Sequence, residues 1–119
     1  MKRGRKISGG KYHKQRKSKL FEKRRQERLV LLGEKKRKTV YIRGGNKRTV
    51  LLKDNTVNIL TNKKIQKAEI KNVLETPQNR FLARQNRLVK GAIIETSIGK
   101  AKITNRPSKE GMVNAVIIE

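Results

Sequence analysis

The sequence predicts an all-β fold, a small antiparallel β-barrel of about six or seven strands with a long basic, mostly extended N-terminal arm. Three observations carry that expectation. Beyond residue 37, apolar residues recur with a period of two and are rich in β-branched types, the spacing that sends alternate side chains to opposite faces of a strand. Gly, Asn, Asp and Pro punctuate these runs every eight to twelve residues or so, as in small sandwiches and barrels. Apolar residues are also unevenly spread, with 9 in residues 1–37 and 31 in residues 38–119. The first segment cannot bury enough surface to offset its ordering entropy, so residues 1–37 are expected to be a basic arm and residues 38–119 the barrel domain.

Taken in order, Val40 and Ile42 alternate with Thr39 and Tyr41 and predict a strand that runs into Gly44, Gly45 and Asn46. Then "RTVLLK" and "TVNILT" flank Asp54 and Asn55, a turn pair whose side chains can bond their own backbone, and predict a hairpin. "TNKK" at 61–64 supplies the next turn. "IQKAEIKNVLET" is expected to place Ala68, Ile70 and Leu74 on one face and Glu69, Lys71, Val73 and Glu75 on the other. Pro77, which has no N–H to donate, ends that run. "GAIIETSIGKAKITNRP" predicts a hairpin folded near Gly99, with Ala92, Ile94 and Ile98 in phase before it and Ala101 and Ile103 after. "MVNAVIIE" closes the barrel, and closure removes exposed sheet edges. The one helix candidate is "SKLFEKRRQERLVLL", residues 18–32, with Ser18 as cap, Glu22 and Arg25 spaced i,i+3, and Gly33 as stop. Its apolar residues bunch at both ends instead of forming a stripe, so ordering on a partner is expected rather than a stable isolated helix.

Charge decides the class of partner. The chain has 33 Lys and Arg against 9 Asp and Glu, a net charge of +24. A compact monomer so charged repels itself unless counter-charge is supplied, so the expected partner is a polyanion. Residues 1–48 hold 20 basic and 3 acidic side chains, and residues 49–119 hold 13 and 6. Aromatic content is 3%. With so few aromatics and no apolar run of about eighteen residues, neither an aromatic stacking platform for single strands nor a membrane span is expected. "MKRGRKISGG" has the charge of a secretory signal without its apolar middle, which points to a soluble, cytoplasmic protein.

Chemistry at a catalytic site is not expected. The absence of cysteine removes disulfides, zinc knuckles and thiol catalysis, and His13 stands alone in a basic run, so no metal or cofactor is expected. No Gly-Lys-Ser/Thr phosphate loop or three-glycine dinucleotide fingerprint occurs: Lys100 is followed by Ala101, and the glycines at 44 and 45 lead into a strand. Asp54 lies in a turn, while Glu69 and Glu75 share a strand face where solvation is the simpler explanation. The reading is therefore not an enzyme, with no small-molecule substrate.

Two glycine-studded basic stretches are the candidate site. In "VYIRGGNKRTVLL", residues 40–52, Gly44, Gly45 and Asn46 suit a hairpin turn, yet Arg43, Lys47 and Arg48 crowd it although folding requires no charge there. Glycine lets backbone amides approach a phosphate closely, and flanking cations add charge-assisted hydrogen bonds, so turn and grip are compatible. In "RGRKISGGKYHKQRKSK", residues 3–19, no carboxylate occurs. There Gly4, Gly9 and Gly10 make the arm pliable, and Tyr12, His13 and Gln15 offer stacking or hydrogen bonds to bases and riboses. Arms of this kind fold against RNA as they bind it. The candidate RNA-binding residues are Lys2, Arg3, Arg5, Lys6, Gly9, Gly10, Lys11, Tyr12, His13, Lys14, Arg16, Lys17 and Lys19 in the arm, Arg43 to Arg48 about the turn, and Arg106.

The blocks "RGRKISGGKY", "VYIRGGNKR", "LVKGAIIETSIGKAKITNRP" and "EGMVNAVIIE" resemble, in that order, the small-subunit ribosomal protein S-eight of the e type in its short archaeal form. The resemblance is close over residues 2–19 and 38–53 and closest over 87–119. It implies an antiparallel barrel with a basic N-terminal extension, a structural constituent of the small ribosomal subunit that contacts small-subunit (16S-type) ribosomal RNA and neighbouring subunit proteins. One departure is "FEKRRQERLVLL", where archaeal relatives typically carry a stretch with glycine and proline. A DNA-compacting nucleoid protein is the alternative that charge alone permits, because backbone neutralisation is blind to sequence. The pliable arm and small barrel fit an irregular folded RNA better than a regular duplex.

Overall fold

The structure, a computed structural model, describes residues 4–23, 28–61 and 64–118. Along the chain these form β1 (Val30–Leu32), β2 (Lys36–Tyr41), β3 (Lys47–Asp54), β4 (Thr56–Thr61), β5 (Lys64–Glu75), α1 (Arg80–Arg84), β6 (Arg87–Leu88), β7 (Ile93–Thr96), β8 (Lys100–Ile103), α2 (Pro107–Glu110) and β9 (Asn114–Ile117). Strands β4, β5, β7, β8 and β9 close into a barrel, and β2, β3, β1 and β6 make a second, four-stranded sheet. The expected all-β barrel is thus present, with five strands in the barrel itself and the others in a sheet beside it. Four antiparallel steps around the barrel bring β9 back in the direction of β4. The closing ladder is accordingly parallel, pairing Asn58 with Asn114, Ile59 with Ala115 and Leu60 with Val116.

Small and branched residues share the interior. Ala68, Ala92, Ala101 and Ala115 lie among Val57, Ile59, Ile70, Val73, Ile94 and Ile103, all buried. A five-stranded barrel leaves little room inside, and alternating small with large side chains fills it without strain. Val30, Leu51 and Leu88 extend the same core under the second sheet.

The two sheets meet at Asp54. The expected hairpin across Asp54 and Asn55 does not form, because β3 and β4 belong to different sheets. β3 already has β2 along one edge, while β1 pairs with its end in parallel through Lys53 and Asp54, so no free edge remains for β4. Asp54 instead makes a corner. Its Oδ1 accepts from the Thr56 N–H at 3.0 Å and the Thr56 hydroxyl at 2.8 Å. Lys35 Nζ lies 3.6 Å from Oδ2, and the Asp54 side chain is almost completely buried. Beyond the corner, the Asn55 carbonyl accepts from the Ile70 N–H at 2.8 Å and starts the pairing of β4 with β5.

Strand β5 departs from a simple two-residue alternation. Ala68 and Ile70 are buried as expected, but Val73 is buried and Leu74 is 42% exposed. The register against β7 slips between Ile70 and Asn72, a bulge at which one extra residue turns the next side chains over, and it slips again between Val73 and Glu75. The Asn72 side chain accepts from the Val73 N–H at 2.9 Å there. Near Gly99, the β7–β8 hairpin forms as expected, except that Ile98 lies in the turn and is exposed.

The helix candidate is not a helix over its described C-terminal part. Val30–Leu32 is strand β1, with Val30 fully buried and Leu31 and Leu32 half-buried, because a continuous apolar run suits a strand covered on both faces better than a helix with one apolar face. Residues 19–22 make a single turn, in which the Glu22 carboxylate accepts from the Lys19 N–H at 2.9 Å and pairs with Arg16 at 2.8 Å. The Arg16 guanidinium, and then the Lys19 amide, hold the Glu22 carboxyl below its usual range. Residues 24–27 of that candidate, and residues 62 and 63 of the "TNKK" turn, lie outside the described residues. The expected division at residues 37 and 38 falls inside β2.

Residues 4–19 are exposed throughout and make one local bridge, Arg5 with Lys11. The radius of gyration is 21.4 Å. A compact chain of this length would give about 14 Å, so the arm extends well away from the body.

Asp54→Ala tests the corner. It leaves the Thr56 amide and hydroxyl without their acceptor, which is expected to cost about 1–3 kcal/mol in urea unfolding. A loss below about 0.5 kcal/mol would show that the corner does not depend on the carboxylate.

Candidate nucleic-acid interface

The site begins with a hairpin whose outer half stands clear of the core. In β2 every residue is exposed except Val40, which is half-buried, and in β3 Lys47, Arg48 and Thr49 are exposed before Val50 and Leu51 enter the core. Tyr41 pairs with Lys47, Val40 with Arg48 and Thr39 with Thr49. The turn between the strands closes with the Ile42 N–H donating to the Asn46 carbonyl at 2.8 Å. Gly44 and Gly45 have φ of 83° and 78°, a left-handed conformation that explains both glycines. A Cβ on Gly45 would meet nothing within 4 Å, and one on Gly44 only the Asn46 side chain at 3.9 Å, so the space over the turn is open.

The three cations about this turn have different surroundings. Lys47 Nζ sits 5.3 Å from the centre of the Tyr41 ring. Arg48 Nε donates to the Lys109 carbonyl at 3.0 Å, tying the hairpin to α2. Arg43 is exposed, and among the described residues neither Arg43 nor Lys47 is in an ion pair. Between residues 35 and 53 the chain has eight Lys and Arg and no carboxylate. Lys36, Arg37 and Lys38 of β2 belong to that set and are further candidates, for which their position in a charge run is the available signal.

Helix α2 fixes the hairpin on the barrel. Gly111, its C-cap, has φ of 74°, and a Cβ there would lie 3.3 Å from the Thr49 carbonyl oxygen. Pro107 starts the helix, and the Asn105 amide donates to Glu110 Oε2 and to the Met112 carbonyl, each at 2.9 Å. That amide, and then the Arg106 N–H, hold the Glu110 carboxyl below its usual range. The Arg106 side chain itself is exposed.

In the arm the structure brings Arg5, Gly9, Gly10 and Lys11 into one small loop. The Lys6 N–H donates to the Gly10 carbonyl at 2.9 Å and the Gly9 N–H to the Lys6 carbonyl at 2.8 Å, while Arg5 Nη1 reaches the Gly9 carbonyl at 3.0 Å. Lys6 Nζ lies 5.7 Å from the Tyr12 ring. His13, Lys14, Lys17 and Lys19 are exposed beyond this loop, as is Arg16 in its pair with Glu22. Lys2 and Arg3 lie outside the described residues. Among the described residues no hydrogen bond joins the arm to the hairpin, so the candidate site has two separate parts.

A third basic region was missed. Residues 76–94 carry Arg80, Arg84, Arg87 and Lys90 and no carboxylate. They include α1, capped by Asn79, whose Oδ1 accepts from the Phe81 N–H at 2.9 Å. Thr76, fully buried, donates its hydroxyl hydrogen to the Asn79 carbonyl and accepts from the Ala83 N–H at 3.1 Å. A five-residue helix is too short to show periodicity, and its cap was the only local signal.

Among the described residues no group of three or more His, Cys, Asp or Glu could hold a metal ion, and no helix is long and apolar enough to cross a membrane. The architecture is that of a small, strongly basic β-barrel protein with two projecting cationic elements. Residues 1–118 match the family model described as Ribosomal protein S8e, and the chain belongs to that family. It is 40% identical over 117 residues to the small ribosomal subunit protein eS8 of Methanocorpusculum labreanum, covering 97% of this chain and 94% of that protein. It is 41% identical over 115 residues to the eS8 protein of Nanoarchaeum equitans, with 95% and 91% covered. The eS8 protein of Methanosarcina barkeri is likewise 41% identical, over 97% of this chain and 94% of its own length.

Gly111→Ala tests the seat of the hairpin. A left-handed non-glycine residue costs about 1–2 kcal/mol, and the close Thr49 carbonyl adds to it, so the urea midpoint should fall with the m-value unchanged. An unchanged midpoint would show that α2 accommodates a side chain there.

Proposed function

We propose that this chain is a structural constituent of the small ribosomal subunit, which binds and stabilises folded small-subunit ribosomal RNA through its basic arm and its basic Gly-Gly-Asn turn. The observation that carries the reading is the turn itself: an open left-handed loop flanked by exposed Arg43 and Lys47, on a segment free of carboxylates. Its relatives are named small ribosomal subunit proteins, and they match along nearly their whole length. Neighbouring subunit proteins are its other partners, and its place is the cytoplasm, with the ribosome.

The mechanism is electrostatic and involves no bond-breaking step. A folded RNA packs phosphates closely and needs counter-charge at those places. Arg43 and Lys47 supply charge-assisted hydrogen bonds to phosphate oxygens, and the glycines allow close approach of the backbone. Arg48 has a different role, because its Nε already holds the Lys109 carbonyl. It orients the hairpin that presents the other two. The arm reaches RNA that the body cannot touch, and it orders as its cations displace condensed counterions.

Two measurements check this reading. Log affinity for a small-subunit rRNA fragment should fall with log salt by roughly 0.7 to 0.9 per phosphate neutralised, and a chain lacking residues 1–23 should show a clearly shallower slope. That truncation keeps Val30 in the core. An unchanged slope would remove the arm from the binding surface, and equal affinity for duplex DNA of the same length would favour the nucleoid reading. Replacing Arg43 and Lys47 together by Gln should weaken rRNA binding roughly tenfold or more at moderate salt, after discounting each contact for water exposure. Melting temperature should hardly change, since exposed charges near a turn contribute little to stability. Wild-type affinity in the folded double variant would reduce this stretch to a turn.

A further inference from the structure

The chain has four aromatic residues, and all of them lie outside the core. Tyr12 is 55% exposed, Phe21 70%, Tyr41 72% and Phe81 65%. The buried apolar residues are aliphatic without exception. Aromatic rings ordinarily contribute the largest apolar areas to a core, so leaving all four in water forgoes stabilisation that a domain this small can ill spare. Each ring also has a cation near its face: Lys6 at 5.7 Å from Tyr12, Lys19 at 5.9 Å from Phe21, Lys47 at 5.3 Å from Tyr41 and Arg84 at 5.8 Å from Phe81.

From this we infer that Tyr41 and Phe81, on the folded body, are stacking sites for unpaired RNA bases, an inference that rests on the RNA-binding reading above. Both rings stand on fixed elements. Tyr41 ends β2 next to the glycine turn, and Phe81 lies in the first turn of α1, which Asn79 and Thr76 anchor to the end of β5. Their segments, residues 35–53 and 76–94, contain no carboxylate. A protein partner docking on an exposed ring would call for apolar neighbours around it. Here each ring has a cation at its face, Lys47 at Tyr41 and Arg84 at Phe81, and although Ile42 is exposed after Tyr41, Arg80 precedes Phe81 in the helix.

That pairing suits a nucleotide in both its parts. Every base has a π-face that stacks on a ring without regard to sequence, and the adjacent cation neutralises the phosphate of the same or the next nucleotide. A duplex keeps its bases stacked on one another and offers the ring nothing. The body of the protein would therefore select loops, bulges and splayed bases over regular helix, which phosphate contacts alone cannot do. The low aromatic content argued against a stacking platform, and only the placement of the rings reveals one.

The test uses the full chain with two probes, an oligoadenylate of about twelve nucleotides and an RNA duplex of about twelve base pairs. Tyr41→Leu and Phe81→Leu keep the net charge and much of the bulk, and both sites are exposed, so circular dichroism and melting should match wild type. Each is expected to bind oligoadenylate roughly five- to a hundredfold more weakly, with duplex affinity changed less than about twofold and salt slopes unchanged. Tyr41→Trp should restore or exceed wild-type binding to the single strand. Leucine variants that bind oligoadenylate as tightly as a binding-competent wild type would overturn the stacking sites alone. Equal losses on both probes would also overturn them. Wild-type protein that binds neither probe would remove the RNA reading together with them.

Discussion

Unneutralised positive charge is the constraint on which the rest of this molecule depends. Its 33 cationic side chains face 9 carboxylates, and among the described residues only two ion pairs form. Two like charges about 10 Å apart repel by about 0.4 kcal/mol in water, a small term that recurs over very many pairs. Salt weakens it without removing it. Many of the cations lie along an extended arm, on a hairpin that stands off the core and around a short helix, and others lie on β5, β8 and α2.

Such a surface requires a core that asks little of it. The apolar residues of the barrel interior are aliphatic, alanines together with isoleucine and valine. Among the described residues Asp54 is the one deeply buried carboxylate, and it serves geometry. By accepting twice from Thr56 and facing Lys35, it turns the chain out of the second sheet and into the barrel. Through that corner β3 is committed to the sheet that carries the basic hairpin, and β4 to the barrel that α2 abuts. Arg48 and Gly111 then lock hairpin to barrel. Fold and site are thus linked by a few polar contacts laid over a generic apolar core.

Much of this was legible in the sequence, and what was not has physical reasons. Period-two runs gave the strands of the barrel, and the glycine and asparagine chemistry gave the turns at 44–46 and near Gly99. Which strand pairs with which was not legible, since a turn signal such as Asp54-Asn55 serves a corner as well as a hairpin. The bulge in β5 was hidden because periodicity assumes an unbroken register, and Val73 and Leu74 exchanged faces as a result. Strand β1 falls within the expected arm because its three apolar residues, with Leu29 before them, follow a dense charge run, and only the fold shows Val30 under the sheet. For the site, charge and glycine spacing pointed to the hairpin. Arg48's structural bond and the exposed cation–ring pairs depend on tertiary placement, which composition does not carry.

The proposed binding puts the arm and the glycine turn against ribosomal RNA phosphates. A density map of a small ribosomal subunit containing this chain tests it most directly. The expected map has an ordered arm over residues 4–23 running against RNA, with the Arg43 and Lys47 side chains and the Gly44–Gly45 backbone within hydrogen-bonding distance of phosphate oxygens. An arm left disordered, or a turn facing solvent with no phosphate in reach, would contradict it.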